Sequence, residues 1–408
     1  MIMAMMKSSN TEWLGDIPAE WDVAQIGNYY ELRNEKVSDY DFEPLSVTMK
    51  GIVTQLATAA KSDDHSNRKL VKKGDFVINS RSDRRGSCGI SPLDGSVSLI
   101  NIVMEPRGEM NPQYYNWLFH TEQFADEFYK WGHGIVDDLW TTRWQEMKKI
   151  LIVAPLPDEQ QAIADYLDET CSKIDEIIAE AKASIDEYKE LKQSVIFEAV
   201  TKGLDKNVEM KDSGVEWIGL CPKHWVVSRI KNECSNLDNL REPVSADNRE
   251  NKLGLYDYYG ASGVIDKIDY YNVDDVVLLI GEDGANLRMR NLPLVYRASG
   301  KFWVNNHAHI LKINERNDYE YMAYMLEAGD YSDYITGSAQ PKLSQFNLMR
   351  FPIVHPPLNE QIVISQYLVD RIPQIDSLIS EKESLINDLE AYKKSLIYEV
   401  VTGKRRVV

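Results

Sequence analysis

The chain has 408 residues, which is too long for one hydrophobic core and predicts two or three domains. Its hydrophobic and charged fractions, 43% and 27%, are those of an ordinary globular protein. The apolar start, residues 1–6, is too short for a secretory signal, and no run of residues is long enough to span a membrane. Four cysteines without paired short spacing indicate reduced structural thiols, so we expect a cytoplasmic protein.

The formal net charge of −18 argues against a nucleic-acid partner, because neutralising phosphates requires lysine and arginine. Residues 155–205 hold much of this excess, with five basic and thirteen acidic side chains. Basic clusters elsewhere in the chain can therefore still meet DNA. The overall acidity predicts that tight binding depends on other subunits.

A nine-residue pattern, Trp-x-Gly-x-x-Pro-x-x-Trp, occurs twice in the chain. Tryptophan motif one spans residues 13–21, and tryptophan motif two spans residues 217–225. Each copy precedes a globular stretch of similar length, and each stretch precedes a predicted long helix. The chain therefore contains an internal repeat, in which each copy has a tryptophan motif, a globular domain and a long helix.

The first globular stretch mixes strands and short helices. Strands are predicted over residues 44–49, 74–79 and 150–153, and the spacing of aromatic residues predicts a helix over 112–128. The loop 80–87 carries three arginines beside three serines: Arg81, Arg84 and Arg85. Guanidinium groups suit phosphates and guanine edges, which makes these arginines candidate DNA contacts. The alternative is a solvated loop in which Asp83 is the ion-pair partner.

The second globular stretch follows the same plan with different residues. Strands are predicted over 275–280 and 309–313, and a helix over 319–327. Outside the tryptophan motifs and the approach to each helix, the two stretches align poorly. Alternating strands and short helices place both in the α/β (α+β) class.

Two loops of the second stretch carry further candidate DNA contacts. The first loop holds Asn286, Arg288 and Arg290, and the second, 337–343, holds Gln340 and Lys342. A turn at Pro341 explains the second loop nearly as well. His307 and His309 alternate on one face of a predicted strand, and a hydrogen-bonded structural pair is favoured over metal ligands.

The two predicted helices are copies of each other. Residues 155–201 align without a gap on residues 356–402, at a constant offset of 201, with 17 identities in 47 positions. Apolar residues recur in both copies at alternating steps of four and three, a heptad seam that one helix cannot bury alone. We therefore expect the copies to pair, with lysines at the seam edge. The candidate pairing residues are Ile174, Ile178, Ile185, Ile375, Ile379 and Ile386. Pro373 predicts a break or kink just before it, and we expect a similar one near Ser172.

This combination resembles the specificity subunit of Type I restriction-modification enzymes, and the resemblance covers essentially the whole chain. It rests on the two tryptophan motifs, the Pro-Leu starts that lead to Glu159-Gln160 and Glu360-Gln361, the Ile-Asp pairs, and the helix ends after Val200 and Val401. The resemblance implies two target-recognition domains, separated by an antiparallel pair of long coiled-coil helices with pseudo-two-fold symmetry. The expected boundaries are 1–154 and 206–355 for the domains, and 155–205 and 356–408 for the spacer helices.

The same resemblance implies the function and the partners. Each domain reads one half of a bipartite double-stranded DNA target. The helices set the gap between half-sites and bind two methyltransferase subunits, to which restriction subunits attach. Cofactors are expected only in those partners: S-adenosylmethionine in the methyltransferases, and ATP and Mg²⁺ in the restriction subunits.

We find no motif for catalysis in the chain itself. It has no phosphate-binding Gly-Lys-Ser/Thr loop, no Gly-x-Gly-x-x-Gly after a strand and no adenine-methyltransferase signature. A noncatalytic role is therefore expected. Two alternatives remain: a coiled-coil adaptor that binds protein partners, and a single-chain DNA-modifying enzyme with unrecognised motifs.

Overall fold

A computed structural model describes residues 5–58, 65–134, 140–245 and 254–407. The chain forms two compact units. Unit 1 comprises Met1–Lys182 and Ser384–Val408, and unit 2 comprises Ala183–Glu383. None of the helices in the described ranges combines the length and the apolar composition that a membrane span requires.

Two long helices dominate the described residues, α5 over Pro157–Lys202 and α10 over Leu358–Val401. The short helices are α1 (Ile26–Tyr29), α2 (Pro112–Phe119), α3 (Glu122–Lys130), α4 (Trp144–Met147), α6 (Ile230–Glu233), α7 (Asn286–Met289), α8 (Tyr319–Ala328) and α9 (Gln345–Arg350). Single 3₁₀ turns lie at Ser82–Arg84, Asp238–Leu240 and Ser332–Tyr334.

The strands of unit 1 form small antiparallel sheets. They are β1 (Met6–Ser8), β2 (Asp16–Pro18), β3 (Asp22–Gln25), β4 (Tyr30–Leu32), β5 (Lys36–Val37), β6 (Leu45–Thr48), β7 (Gly51–Thr54), β8 (Arg68–Val71), β9 (Phe76–Asn79), β10 (Cys88–Ile90), β11 (Gly95–Ser98), β12 (Asn101–Pro106) and β13 (Leu151–Ala154). The largest sheet has the order β10-β9-β12-β4, and the next has the order β11-β8-β5. The central strand β9 is buried along most of its length.

Unit 2 is built on one larger sheet. Its strands are β14 (Met210–Asp212), β15 (Leu220–Pro222), β16 (Val226–Arg229), β17 (Cys234–Asn236), β18 (Tyr256–Gly260), β19 (Gly263–Ile268), β20 (Val273–Gly281), β21 (Val295–Val304), β22 (Ala308–Ile313), β23 (Ile335–Thr336), β24 (Lys342–Leu343) and β25 (Pro352–His355). The six-stranded sheet has the order β17-β22-β20-β21-β18-β19. All its described pairings are antiparallel except that of β18 with β21.

Both domains close in the same way. In unit 1 the first strand after tryptophan motif one, β3, pairs with the last strand, β13. In unit 2 the corresponding strands β16 and β25 pair in the same antiparallel sense. Mixed helix and sheet, with two long helices and two domains, confirm the predicted fold class.

The first turn of each long helix holds the domain that precedes it. In unit 1 the Gln160 side chain accepts a hydrogen bond from the Asn111 amide at 2.8 Å, and Asn111 in turn caps α2. Gln361 accepts from the amide of Asp318, the cap of α8, at 2.9 Å in unit 2. Both glutamines are fully buried. The glutamine of the repeated Glu-Gln pair thus joins each long helix to the domain that precedes it.

The last turn of each long helix is bound by the domain from the other half of the sequence. The buried Tyr114 hydroxyl donates to the Val401 carbonyl at 2.7 Å, and the buried Tyr321 hydroxyl donates to the Val200 carbonyl at 3.1 Å. Such carbonyls have no partner inside the helix, so each tyrosine satisfies an acceptor that burial would otherwise leave unpaired. Each unit therefore uses the start of one long helix and the end of the other.

Within each unit the helix segments run antiparallel. In unit 1 Glu159 lies 3.4 Å from Arg406, and Asp175 lies 2.6 Å from Lys393. In unit 2 Lys192 lies 2.6 Å from Asp376. The two lysine–aspartate pairs are the same pair of residues in the repeat, at an offset of 201. Most of the candidate pairing isoleucines are buried, namely Ile174, Ile178, Ile185, Ile375 and Ile386, and Ile379 is partly buried against the unit 2 core.

The predicted breaks in the two long helices are wrong, whereas the kinks predicted as the alternative to a break stay a prediction. Helix α5 continues through Ser172, and α10 continues through Pro373. A proline in a helix leaves the carbonyl four residues earlier without its N–H partner. Here that residue is Val369, which is exposed, as is Pro373, so water can satisfy the carbonyl.

The predicted helix over 112–128 is two helices. The Thr121 side chain accepts a hydrogen bond from the Phe124 amide at 3.2 Å and so caps α3 as a separate element.

The compact units divide each long helix between them. The four-part division at residues 154, 205 and 355 stays a prediction based on the sequence repeat.

All four cysteines are free and buried. Burial raises the pKa of Cys171 to about 11 and that of Cys234 to about 12. Burial also raises the pKa of Cys88. These thiols are therefore structural side chains, as the sequence indicates.

Gly403 provides a test of the helix-end packing. Its φ is +71°, and an added Cβ would lie 2.4 Å from Pro18 Cγ and 2.9 Å from Trp21 Cη2. We expect Gly403→Ala to lower the free energy of unfolding by about 3 kcal/mol, measured by urea denaturation of the full chain.

The matched control is Gly108→Ala. Gly108 has a similar φ, +74°, but open space around its Cβ position. It should lose only about 1 kcal/mol, the cost of the left-handed backbone. Equal losses at the two positions would show that Gly403 does not pack tightly against motif one.

Candidate nucleic-acid interface

The arginine loop of unit 1 is fixed by its backbone. Strand β9 ends at Asn79, and the Ser82 amide then donates to the Trp140 carbonyl at 3.0 Å. The Thr142 amide donates to the Ser80 carbonyl at 3.0 Å, and Arg81 forms an isolated β-bridge with Thr141. The loop is thus clamped to the segment just before α4.

The three predicted arginines of this loop have carboxylate neighbours. Arg81 Nε lies 2.9 Å from an Asp83 oxygen, and Arg84 Nε lies 3.9 Å from the other oxygen of Asp83. Arg85 contacts Asp126 on α3. The Arg84 side chain is 68% exposed, the most exposed of the three. It is the guanidinium of this loop that a phosphate or a base edge can reach most freely.

Unit 2 brings its two predicted clusters together. The Gly284 amide donates to the Pro341 carbonyl at 3.0 Å, and the Leu343 amide donates to the Glu282 carbonyl at 2.7 Å. Asp283 forms an isolated β-bridge with Lys342. The loop after β20 and the loop before α9, more than 50 residues apart in sequence, therefore form one surface.

These two clamps occupy equivalent positions in the two units. One bridge joins Arg81 to Thr141, and the other joins Asp283 to Lys342. The paired residues of the two bridges are offset by 202 and 201 positions, within one residue of the helix-repeat offset of 201. Sequence comparison alone misses this equivalence, because the loop side chains differ at almost every position. A backbone offset carried through the domain is the signal that could have found it.

The exposed candidates of unit 2 lie on this surface. Arg288 Nη2 donates to the Gly337 carbonyl at 3.2 Å, which ties α7 to the second loop. The Lys342 side chain is 54% exposed, and its Nζ lies 2.9 Å from Glu282. Gln340 is exposed at the tip of the same loop. All three groups remain accessible to a ligand that approaches the surface.

Asn286 and Arg290 instead hold the loop together. The Asn286 side chain accepts from the Leu292 amide at 2.9 Å and donates to the Leu292 carbonyl at 3.1 Å. Arg290 has a left-handed backbone, and its guanidinium donates to the carbonyls of Glu327 and Gly329. Their polar groups are engaged inside the protein, which the sequence pattern did not indicate.

Aromatic residues near the end of α3 and before α4 divide into two groups. Tyr129 is buried and donates to the Asn79 carbonyl at 3.2 Å, so it belongs to the core. Trp131 and Trp140 are exposed. Trp140 lies beside the arginine loop, because its carbonyl accepts from Ser82.

Comparisons with known proteins agree on one family. The model of the family described as Type I restriction modification DNA specificity domain matches residues 222–390. A putative type I restriction enzyme specificity subunit from Haemophilus influenzae is 30% identical over 160 residues, which are 39% of this chain and 38% of that protein. The type I restriction enzyme MjaVIII specificity subunit from Methanocaldococcus jannaschii is 24% identical, across 100% of this chain and 98% of that protein.

Two solved structures share the fold. One, from work on complex assembly and conformational transition of the type I R-M system, has a TM-score of 0.73 at 13% identity, with 95% of this chain and 99% of that chain covered. The other, the HsdS subunit from Thermoanaerobacter tengcongensis, has a TM-score of 0.55 at 15% identity, with 98% and 100% covered. This chain carries a Type I restriction-modification DNA specificity domain. The resemblance seen in the sequence is confirmed.

The matched region of the specificity domain includes the whole loop surface of unit 2 and the charged network beneath it. Glu282 is buried and accepts from Arg241, and Lys342 contacts its other oxygen. Burial raises the pKa of Glu282, but the hydrogen bonds from Arg241 and Lys342 outweigh burial and leave the pKa below its usual value. A single buried carboxylate thus holds two cations, one of which is exposed on the surface.

His309 anchors the same part of the specificity domain. Its ring is fully buried, with Nδ1 2.6 Å from Asp238 and Nε2 2.8 Å from the Leu343 carbonyl. The carbonyl and carboxylate oxygens are both acceptors, so each ring nitrogen faces a hydrogen-bond acceptor. His307 lies 2.7 Å from Asp283. Both histidines are therefore held by carboxylates, and His309 fixes the second loop to the sheet.

The Asp238 carboxyl makes this anchor testable by pH. Burial raises its pKa, but hydrogen bonds from His309 and the Ile310 amide outweigh burial, so its pKa is lowered in the folded chain. A carboxyl group whose pKa is lower in the folded chain stabilises the fold at pH values above its pKa in the unfolded chain, near 4. This stabilisation is lost as the pH falls further. Asp238→Asn should therefore unfold about 2 kcal/mol more easily at pH 7, with a difference from the parent chain that shrinks below about pH 4.

Urea titrations of the full chain between about pH 3 and pH 7 measure this effect. The matched control is Asp274→Asn, because Asp274 is exposed on the neighbouring strand β20. It should leave the stability within about 0.5 kcal/mol of the parent chain. A pH-independent loss for Asp238→Asn would exclude the charged anchor.

Proposed function

We propose that this chain is the noncatalytic DNA-recognition subunit of a Type I restriction-modification complex, and that its two domains read the two halves of a bipartite target. The observation that carries the proposal is the repeated clamp. Each unit presents a polar loop after its central strand, fixed to the loop before its last short helix. Two different half-sites require loops that have the same backbone support but carry different side chains.

The contacts are proposed in two ranks. Arg84, Arg288, Gln340 and Lys342 are exposed on the two surfaces and are the proposed base or phosphate contacts. Arg81 and Arg85 are proposed as phosphate contacts, because their guanidinium groups already face carboxylates. Asn286 and Arg290 shape the loop that carries Arg288.

The acidic partners of these cations fit a binding surface for phosphate. Asp83, Asp126 and Glu282 hold the cationic groups in place before DNA arrives. Binding to phosphate must then compete with an existing ion pair, which lowers affinity and increases specificity. Together with the net charge of −18, this predicts weak DNA binding by the chain alone.

The proposed partners supply the chemistry. Two methyltransferase subunits bind the long helices and use S-adenosylmethionine, and restriction subunits use ATP and Mg²⁺. This chain supplies the target and the spacing between half-sites. A protein partner along the helices is supported by exposed apolar side chains on their surfaces, namely Ile177, Leu191, Leu358, Ile362, Val363, Tyr367 and Leu378.

Methylation mapping tests the proposal directly. DNA from cells with and without this gene, with the modification subunit present, is sequenced for N6-methyladenine. Loss of methylation from one motif, two short blocks with a fixed gap between them, is the expected result. An unchanged map, with expression verified, would overturn the proposal in favour of a protein-binding adaptor.

Arginine substitutions separate the two half-sites. We expect Arg84→Ala and Arg288→Ala each to weaken binding of the assembled complex to its target by about 1–3 kcal/mol, with relaxed specificity in one block only and a different block for each variant. Fluorescence anisotropy with target duplexes altered in one block or the other measures this.

Lys223→Ala is the control for loss of one positive charge. Lys223 is exposed and pairs with Glu209 in the hairpin of tryptophan motif two, away from both loops in sequence. It should leave both blocks unaffected. Equal losses on target and on random DNA for the arginine variants would reduce Arg84 and Arg288 to nonspecific phosphate contacts.

A further inference from the structure

The end of helix α10 and tryptophan motif one are bound to each other in unit 1. The Tyr398 hydroxyl donates to the Trp13 carbonyl at 2.7 Å, across 385 positions of sequence. Lys404 Nζ donates to the carbonyls of Leu14 and, at 3.3 Å, of Asp16. Lys404 is exposed, but its ammonium group supplies a hydrogen-bond donor to two carbonyls of the motif, which would otherwise need water.

Arg406 extends this contact by charge. Its Nη1 lies 2.7 Å from Glu20 in the motif, and its Nη2 lies 3.4 Å from Glu159 at the start of α5. Glu159 also accepts from the Trp21 indole at 2.8 Å, and its side chain is only 16% exposed. Arg406 therefore joins the motif, the first turn of α5 and its own segment in one network.

Unit 2 has the same junction without these cations. Residues 203–209 connect the end of α5 covalently to the hairpin of tryptophan motif two. After the left-handed glycine, this junction has Leu204, Asp205 and Lys206 where α10 is followed by Lys404, Arg405 and Arg406. On Glu360, the counterpart of Glu159, the position of Arg406 is taken by His224 of the motif itself, at 2.7 Å.

The charges of the two tryptophan motifs are opposite. Motif one carries Asp16 and Glu20 and no cation, whereas motif two carries Lys223 and His224 and one acidic residue, Glu216, precedes it. The segment 404–406 carries three positive charges, and Leu204-Asp205-Lys206 carries a net charge of zero. The segment after α10 is therefore complementary in charge to the motif that it meets, whereas the segment after α5 is neutral.

We infer that Lys404 and Arg406 form a charge-selective clasp, whose binding surface is the acidic tryptophan motif one and the Glu159 carboxylate. The clasp does noncovalently in unit 1 what residues 203–209 do covalently in unit 2. Closing a contact across almost 400 residues costs more chain entropy than closing a seven-residue connection, so unit 1 needs the additional attraction. This inference is independent of DNA binding and stands or falls without it.

The alternative is a set of ordinary surface ion pairs with little effect. Two neighbouring arginines distinguish these possibilities. Arg406 contacts the motif and Glu159, whereas Arg405 donates to the Tyr392 hydroxyl of its own helix at 3.1 Å. A clasp requires Arg406 and not Arg405, but a general effect of positive charge requires both equally.

Hydrogen exchange of the full chain tests the clasp, with residues 13–21 as the reporter and residues 217–225 as the internal reference. We expect Arg406→Gln to speed exchange in 13–21 by about fivefold at about 50 mM salt, and the difference to shrink at about 500 mM salt. Glu20→His, which places the motif two residue in motif one, should have a similar effect. Arg405→Gln should leave both segments unchanged.

Charge reversal provides the decisive comparison. Arg406→Glu alone should speed exchange in 13–21 further than Arg406→Gln, and adding Glu20→Arg should restore part of the protection. Equal effects of Arg405→Gln and Arg406→Gln, or no recovery in the double variant, would overturn the clasp. The same loss of protection in 217–225 as in 13–21 would also overturn it, because it would indicate global destabilisation.

Discussion

Each domain of this protein depends on a carbonyl at the end of a helix that belongs to the other half of the sequence. Tyr114 donates to Val401, and Tyr321 donates to Val200. A helix end needs partners for its last carbonyls, and a buried tyrosine needs an acceptor, so the two requirements satisfy each other. Together with the glutamine that fastens each helix start, this interaction makes neither half of the repeat sufficient for a domain.

The large-scale organisation could be predicted from the sequence because it rests on repetition and periodicity. The offset of 201, the heptad seam and the tryptophan motifs identify two long helices, two domains and the family. The lysines that the seam places at its edge are those that meet Asp175 and Asp376. Such features involve many residues, so a single exception does not remove the signal.

The details of the candidate interface could not be predicted in the same way. The side chains of Asn286 and Arg290 have the composition of a DNA contact, but they bind backbone groups that only the folded chain brings near. The union of loops 281–290 and 337–343 depends on a β-bridge between residues far apart in sequence. Pro373 shows the opposite error. The local rule that proline interrupts a helix fails here, because the position is exposed in a long, well-packed helix.

The electrostatic pattern bears on the proposed binding of a polyanion by an acidic chain. Most cations of the two loop surfaces are held by nearby carboxylates, and in unit 2 the buried Glu282 shares its charge between Arg241 and Lys342. These carboxylates neutralise part of the positive charge of each surface. A polyanion gains by replacing the carboxylate only where its own geometry matches the fixed cations, so shape and spacing contribute as much as net charge.

The buried cysteines have a practical consequence. Because their thiols are enclosed and have raised pKa values, they carry little thiolate at neutral pH and react slowly with alkylating reagents. A cysteine introduced on an exposed loop can therefore be labelled with a maleimide dye in the otherwise native chain. Pairs of such labels give access to distances between the loop after β9 and the loop after β20 in solution.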